Sequence, residues 1–304
     1  MKILVTGGAG FIGSHLVNSL VKKGHKVVVL DNLSTGKKNF LSGETKIYRL
    51  SLSSPKIFEV FKKERPRVVY YLAGPINLRR KIDNPLFGAS LNFFNNFKRI
   101  LDCSRLFKTK KFIFISSGGA LYSGARVIPT PEDYPVCPGS LYGLANLILE
   151  KFLEEYYKNY GLNFIILRFS NIYGPRQWEQ GVIPSFIISI LKNKSLIING
   201  DGKQTRDFIY IDDAVRALLI AAKTRKIGIF NVGSGRETNL NELFKKITEI
   251  LNIQIKPNYC PAVEKGVQRS ALDFSKIKKE LSWQPNYSLD KGLKETINWF
   301  RNKN

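Results

Sequence analysis

Cysteine is scarce. Only Cys103, Cys137 and Cys260 occur in 304 residues, widely spaced and without a Cys-x-x-Cys pair. That pattern excludes a disulfide scaffold, argues against a zinc knuckle and fits a reducing cytoplasm. No metal site is expected, and a chain this long needs no covalent staple to bury a core. Long apolar runs are missing as well. No stretch approaches the ~18 uninterrupted apolar residues of a membrane-spanning helix, and Ile3-Leu4-Val5 is far too short for the apolar region of a signal peptide. The expectation is a soluble, cytoplasmic protein without stable membrane insertion. Internal repeats and low-complexity linkers are also lacking, so the parts of the chain should pack closely.

The remaining shortage is of acid: Asp and Glu total 24 against 48 Lys and Arg, a formal net charge of +24. Charge of that size can drive adsorption to anionic lipid or nucleic acid. The lysines are scattered, however, mostly where amphipathic helices turn a solvated face outward. No helix-turn-helix, aromatic RNP or zinc pattern accompanies them. They read as solvated surface, with no nucleic-acid partner.

What is present is an alternation of strand-length apolar runs with segments of helical period, the pattern of βαβ units around a parallel sheet. Lys2 to Thr6, Lys26 to Leu30, Arg67 to Ala73, Lys111 to Ser117 and Asn163 to Asn171 read as strands. Runs such as Val27-Val28-Val29-Leu30 and Phe112-Ile113-Phe114-Ile115 suit strands buried on both faces. Ile12 to Lys23, Pro55 to Glu64, Leu86 to Phe107 and Pro138 to Tyr160 read as helices. Past Asn171 the rhythm loosens into helices at Pro184 to Asn193, from Asp212, near Asn239 to Leu251 and at Asp290 to Asn302, with strands at Ser195 to Asn199 and Gly228 to Val232. The fold class is α/β: a Rossmann-type doubly wound parallel sheet over 1–170, completed by part of 203–235, with a smaller C-terminal α/β substrate lobe over 171–304.

Gly7, Gly10 and Gly13 lie between the first strand and first helix with G-x-x-G-x-x-G spacing. In that setting one glycine permits the tight turn, one lets backbone approach a pyrophosphate, and one allows close helix packing, while the helix N-terminus offers N–H groups to the anion. Asp31 ends the second strand eighteen residues after Gly13, where a carboxylate can accept from adenosine ribose hydroxyls and would repel a 2′-phosphate. NAD is therefore expected rather than NADP.

With Thr6 to Gly13 and Asp31 to Gly36 in place, further runs align in order: Leu72-Ala73-Gly74, Arg79-Arg80, Asn84-Pro85, Asn92, Ser116 to Tyr122, Tyr142-Gly143, Arg168 to Arg176, Gly200-Asp201-Gly202, Arg206 to Asp213 and Asn231-Val232-Gly233. Over nearly its whole length the chain resembles the extended short-chain dehydrogenase/reductases, specifically the nucleotide-sugar epimerases and dehydratases. The resemblance implies an NAD-dependent epimerase of a nucleotide-activated sugar, a UDP-sugar by preference, serving carbohydrate metabolism and polysaccharide biosynthesis. Tyr142 would remove a proton from a sugar hydroxyl while NAD takes hydride from the same carbon; hydride then returns to the opposite face of the keto sugar. Ser117, with Ser116, would share the hydroxyl proton.

The same resemblance implies cofactor contacts from Gly7, Gly10, Phe11, Ile12 and Gly13, and from Asp31, Asn32, Ser34, Thr35 and Gly36. It adds Ser51 and Leu52 around the adenine, Leu72, Ala73 and Gly74 beyond the fourth run, and Asn92, Tyr142 and Asn146. Asn171, Arg206, Lys265 and Arg269 would hold the substrate diphosphate, arginine being suited by its planar fork of donors. It also implies a homodimer built on the helices Leu86 to Phe107 and Pro138 to Tyr160.

The chain departs from its relatives in four places. Asn146 stands where a lysine usually follows the tyrosine by one helical turn, positioning the nicotinamide ribose and favouring the phenolate. Gly118 stands where many members carry a hydroxyl, Ser51-Leu52 replaces an acidic residue at the adenine, and Glu264-Lys265-Gly266 resembles a shortened Arg-Pro-Gly-Asp. A 4,6-dehydratase would carry an Asp-Glu pair where Gly118-Gly119 stand. The other alternative is an NAD-binding pseudoenzyme that steadies a partner in polysaccharide assembly.

Overall fold

A computed structural model describes residues 1–74, 87–179, 181–261 and 267–302, with 87–91 described by backbone alone. The first half of the chain runs β1 (Lys2–Thr6), α1 (Phe11–Lys22), β2 (Lys26–Asp31), β3 (Lys46–Arg49), α2 (Ile57–Glu64), β4 (Val68–Tyr71), α3 (Phe87–Leu106), β5 (Lys111–Ser117), α4 (Gly118–Leu121), α5 (Leu141–Tyr160) and β6 (Phe164–Phe169). It continues through β7 (Asn171–Tyr173), α6 (Val182–Leu191), β8 (Ile197–Asn199), β9 (Thr205–Arg206), β10 (Phe208–Tyr210), α7 (Ile211–Lys223), β11 (Gly228–Val232), β12 (Thr238–Asn239), α8 (Leu240–Leu251), β13 (Asn258–Cys260), α9 (Ser275–Leu281) and α10 (Leu289–Arg301).

Seven strands form one sheet in the order β11-β6-β5-β4-β1-β2-β3. The pairs β1/β2, β1/β4, β2/β3 and β4/β5 are parallel, giving the doubly wound order with β1 central. Every residue of β4 and β6, and all of β1 and β2 beyond their first residues, is buried. Consecutive burial requires cover on both faces, which explains the unbroken apolar runs. β3 was not legible as a strand. It is a four-residue edge strand with both end residues exposed and only Ile47 and Tyr48 to hint at it.

One buried carboxylate pins that edge. Glu64 accepts the Tyr48 hydroxyl at 2.6 Å and ion pairs from Lys46 at 2.7 Å and Lys2 at 3.1 Å. Burial pushes its carboxyl up, but Lys46, Tyr48 and Lys2 together outweigh burial and hold it at about 2, against an ordinary 4.5. Because the folded value lies below the unfolded one, this stabilisation is complete above about pH 5 and drains as pH falls from 4.5 toward 2. The half-exposed lysines reduce the gain to about 2 kcal/mol. Acid unfolding followed by circular dichroism should therefore show a shallower loss of stability below pH 5 in Glu64→Gln than in the parent. Parallel acid profiles for the two proteins would exclude the role.

The chain divides into two compact units: 1–117, 140–168 and 217–230 in one, and 118–139, 169–216 and 231–304 in the other. Relative to a division at 170, the segment 118–139 therefore moves to the second unit. Its backbone explains why: Thr130 donates to Ala271 at 2.9 Å and receives from Asp273 at 2.9 Å, while Cys137 donates to Leu121. The long run Asn163 to Asn171 also divides. The chain leaves the large sheet at Ser170, and β7 pairs instead with β10, Asn171 opposite Phe208. Among the described residues, no helix is long and apolar enough to cross a membrane.

Candidate functional site

In the first unit the glycine loop follows β1. Gly7 has φ +66°, and a Cβ there would lie 3.0 Å from the Ala73 nitrogen. A Cβ on Gly13 would lie 2.2 Å from the Gly7 carbonyl oxygen, so α1 packs against the loop more closely than any side chain permits. Thr6 Oγ1 accepts from the Leu72 and Ala73 amides at 3.2 and 3.3 Å, tying the exit of β4 to that of β1. At the N-terminus of α1, Gly10 offers no side-chain cap and the first turn holds no acid. Ser14 N is the first amide to reach back into the helix, at 2.9 Å to Gly10 O, leaving the Phe11, Ile12 and Gly13 amides without an intrahelical acceptor. Uncapped N–H groups at the positive end of a helix fit a pyrophosphate.

Asp31 is buried at the end of β2, its Oδ2 accepting from Ala9 N at 2.9 Å and its Oδ1 from Leu33 N at 2.8 Å. Asn32 Oδ1 accepts from the amide and hydroxyl of Ser34. Gly36 lies against Ala9, where a Cβ would meet the Ala9 carbonyl carbon at 2.9 Å, and Lys37 N donates to Ala9 O at 3.0 Å. The run from Asp31 through the half-buried Thr35 to Gly36 is thereby docked on the phosphate loop. The residues of this unit thus fit NAD. Around the expected adenine position the Ser51 hydroxyl is paired with that of Ser53 at 2.8 Å, and Leu52 O accepts from Arg99 Nη1 at 2.8 Å. Gly74 closes the exit of β4, and Asn92 is exposed on α3.

Ser140 caps α5, its hydroxyl accepting from Gly143 N at 3.1 Å. That cap makes Tyr142 the second residue of the helix, half-buried. Asn146 is one turn on and 3% exposed, and its amide is folded back: Nδ2 donates to the Tyr142 carbonyl at 2.8 Å. A lysine at that position extends away from its helix; this amide does not. One further turn on, Glu150 holds Arg168 of β6 through Nε at 3.0 Å and Nη2 at 2.6 Å, with both side chains buried. Ser116 and Ser117 end β5. Ser117 is half-buried, whereas the Ser116 hydroxyl is buried with no partner among the described residues.

The second unit carries the expected substrate residues. Asn171 is exposed at the start of β7, its backbone N–H donating to Asp207 O at 2.9 Å and its side-chain amide not engaged in that bond. Among the described residues, Arg206 spends only one nitrogen on the protein, Nη1 donating to Thr205 O at 2.7 Å and Val267 O at 2.8 Å. Burial pushes its guanidinium down from the ordinary arginine value. Arg269 is placed differently: it grips Glu237 through two nitrogens, at 3.0 and 2.5 Å, and Glu237 also accepts the Thr205 hydroxyl. Arg269 also holds the Glu237 carboxyl below its usual range. Lys265, the Glu264-Lys265-Gly266 run, Arg79-Arg80 and Asn84-Pro85 lie outside the described residues.

Two features escaped sequence reading. Gly118 is not simply a missing hydroxyl: a Cβ there would meet Leu272 Cδ2 at 2.6 Å, so the leucine occupies that space. Asp207 is fully buried and gathers the segments around Arg206, its carboxylate accepting from Ser234 N, Ser234 Oγ, Gly235 N and Leu272 N. Burial pushes this carboxyl up, against the pull of those bonds. The only sequence signal was its place in Arg206-Asp207-Phe208.

The sequence pattern of the NAD dependent epimerase/dehydratase family matches residues 3–233. The UDP-glucose 4-epimerase of Mycolicibacterium smegmatis is 36% identical over 312 residues, covering 100% of this chain and 99% of that protein. Among solved structures, UDP-glucose 4-epimerase from Thermotoga maritima, crystallised with UDP-glucose, superimposes with a TM-score of 0.96 at 39% identity, covering 100% of this chain and 99% of that one. UDP-glucuronic acid 4-epimerase from Bacillus cereus, in complex with UDP-glucuronic acid and NAD, gives 0.92 at 30% identity, with both chains fully covered. A family pattern across three quarters of the length, on a chain with this phosphate loop and this strand order, leaves one conclusion: the chain belongs to the NAD dependent epimerase/dehydratase family.

Proposed function

We infer that the protein is an NAD-dependent epimerase of a nucleotide-activated sugar, acting by preference on a UDP-hexose at C4 through a transient keto sugar. The observation that carries this reading is the docking of Asp31 and its loop onto the uncapped phosphate loop, on a chain that also sets Tyr142 in a capped first helical turn. NAD supplies the hydride acceptor and donor. The chain's own residues do the rest. The Phe11, Ile12 and Gly13 amides bind the pyrophosphate, and Asp31 selects an unphosphorylated ribose by accepting its hydroxyls. Tyr142 takes the sugar hydroxyl proton, Ser117 shares it, and both return it after the keto sugar has turned over. Arg206 has donors left for the diphosphate, and Asn171 offers an exposed amide. The protein works in the cytoplasm as a homodimer, a state that sedimentation velocity tests directly.

The decisive experiment incubates the purified protein with UDP-, GDP- and dTDP-sugars, separating the epimers and following NADH absorbance. Conversion of a UDP-hexose to its C4 epimer, without net NADH, is the expected result. Release of a deoxy-keto sugar would instead identify a dehydratase. Arg206→Ala should raise the apparent Kd for the nucleotide sugar at least ~tenfold while leaving NAD binding alone, since a charge-assisted bond is worth about 1.5 to 3 kcal/mol. Titration calorimetry measures both, and unchanged sugar-nucleotide affinity would remove Arg206 from the site.

A further inference from the structure

The surplus of positive charge is not evenly spread. In the first unit the phosphate loop and Asp31 sit at the carboxyl ends of the parallel strands, so the amino ends make the opposite edge. Backbone bonds join that edge into one line: Lys26 N to Met1 O at 3.0 Å, Arg67 N to Lys2 O at 3.0 Å, Lys110 N to Arg67 O at 2.9 Å and Phe112 N to Asn163 O at 2.9 Å. In doubly wound topology every helix that crosses back ends at this same edge. Four of them finish in exposed bases: Lys22 of α1, Lys63 of α2, Arg105 of α3 and Lys223 of α7. Cations there complement the helix dipoles, but that effect dies away within the last turn. The connections beyond it add Lys23, Arg65, Lys108, Lys110 and Arg225, all exposed.

Among the described residues, the carboxylates near this edge are fewer than the bases and mostly taken: Asp102, beside Arg105 near the end of α3, is paired with Lys98, and Glu154 with Lys151. Glu64 is taken by Lys2 and Lys46, Glu155 by Lys158, and Glu44 stands in the turn before β3. Apolar side chains surface on the same edge. Met1 is 45% exposed, and Leu106 and Tyr160, the last residues of the two helices read above as the dimer interface, are each 54% exposed in the single chain. The Arg105 guanidinium lies 4.5 Å over the Tyr160 ring. Singly such residues are ordinary. Carried on the same edge of the sheet as the exposed bases, they have the composition of an interfacial anchor: apolar groups for the acyl boundary and cations for the headgroups.

We propose that the amino-end edge of the sheet docks the protein onto an anionic lipid bilayer, with the cofactor-binding edge facing away from the membrane. A lipid surface fits better than nucleic acid. The edge is mostly lysine, a hydrated point charge suited to a diffuse anionic plane, whereas phosphate backbones are gripped best by arginine forks. Exposed leucine and methionine also gain from an acyl boundary and nothing from a phosphodiester chain.

The test is co-sedimentation of the full-length protein with vesicles of pure phosphatidylcholine and of phosphatidylcholine with phosphatidylglycerol, at low and physiological salt. The protein should partition onto the anionic vesicles alone, less at higher salt. Reversing Lys23→Glu, Lys108→Glu, Lys110→Glu and Arg225→Glu together should lower the partition coefficient at least about tenfold, each base near an anionic surface contributing on the order of 1 kcal/mol. The same net change in the second unit, Lys192→Glu, Lys194→Glu, Lys278→Glu and Lys279→Glu, should alter it less than about twofold. Unchanged NAD binding and melting temperature verify that the variants fold, and Lys→Gln versions serve if the reversed set does not. The proposal is overturned if anionic vesicles bind nothing at low salt, or if both quadruple variants lose binding equally. Tighter binding to a duplex oligonucleotide at matched phosphate, lost in the edge variant, would overturn it in favour of nucleic acid.

Discussion

Replacing Glu150 with alanine should cost the protein about 3 to 5 kcal/mol of stability, the penalty for stranding one partner of a buried ion pair. The reasoning rests on solvent. Glu150 and Arg168 have side chains 0% and 5% exposed, and the carboxylate receives the guanidinium from two nitrogens. Once the carboxylate is gone, the guanidinium keeps its charge on a side chain only 5% exposed and loses the anion that two of its nitrogens hold. Removing both charges should hurt less than the two single losses combined. Arg168→Met with Glu150→Leu fills the space with apolar groups and leaves no orphaned ion. Urea denaturation of the two single variants and the double variant closes the cycle. A single-variant loss below about 1 kcal/mol would mean that water reaches the pair. The consequence extends to the site, because Glu150 lies two turns beyond Tyr142 on α5 and the pair fixes that helix to β6.

The second large effect falls on turnover. Tyr142→Phe deletes the hydroxyl proposed to exchange a proton with the sugar, and kcat should drop roughly 10²- to 10⁴-fold while NAD still binds. Asn146 sets the context. One N–H of its amide is spent on the Tyr142 carbonyl, and the neutral side chain supplies no charge. A cation beside a phenolate favours it by about 1.4 to 4 kcal/mol, and its absence slows proton transfer roughly ten- to a thousandfold. Asn146→Lys should therefore raise the rate near neutrality and move the rising limb of the pH profile to lower pH. A wild-type maximum already at pH 7 would count against this account and point to another cation. Undetectable epimerisation in both wild type and Asn146→Lys, with NAD bound and the sugar panel exhausted, would identify a cofactor-binding pseudoenzyme.

Much of the framework was legible from local pattern. β1, β5 and β11 match their expected limits, and the principal helices differ only at their ends. In α5 the expected Pro138 gives way to Leu141, because Ser140 is the residue whose hydroxyl can cap. The glycine loop was readable because each glycine answers a local steric demand. The edge strand β3 and the short α9 were not, since each presents too few apolar residues to establish a period.

Spacing and residue type alone determined the parallel sheet, the phosphate loop and the acidic end of β2, and the family resemblance added that Asn146 stands where a lysine is usual. These are properties of neighbours in the chain, where periodicity and backbone sterics act directly. Only the tertiary structure decided how the polar side chains were spent. Arg206 read more strongly than Arg269 as a diphosphate ligand, and Arg269 is bidentate to Glu237, 32 residues away, while among the described residues Arg206 commits only Nη1. Gly118 read as a lost hydroxyl until Leu272 was found against it. The lysines read as scattered until parallel strands, each returning through a helix, brought successive helix ends to one edge. Such pairings join residues far apart in sequence, and packing selects them by burying one partner against another. No local period records that choice.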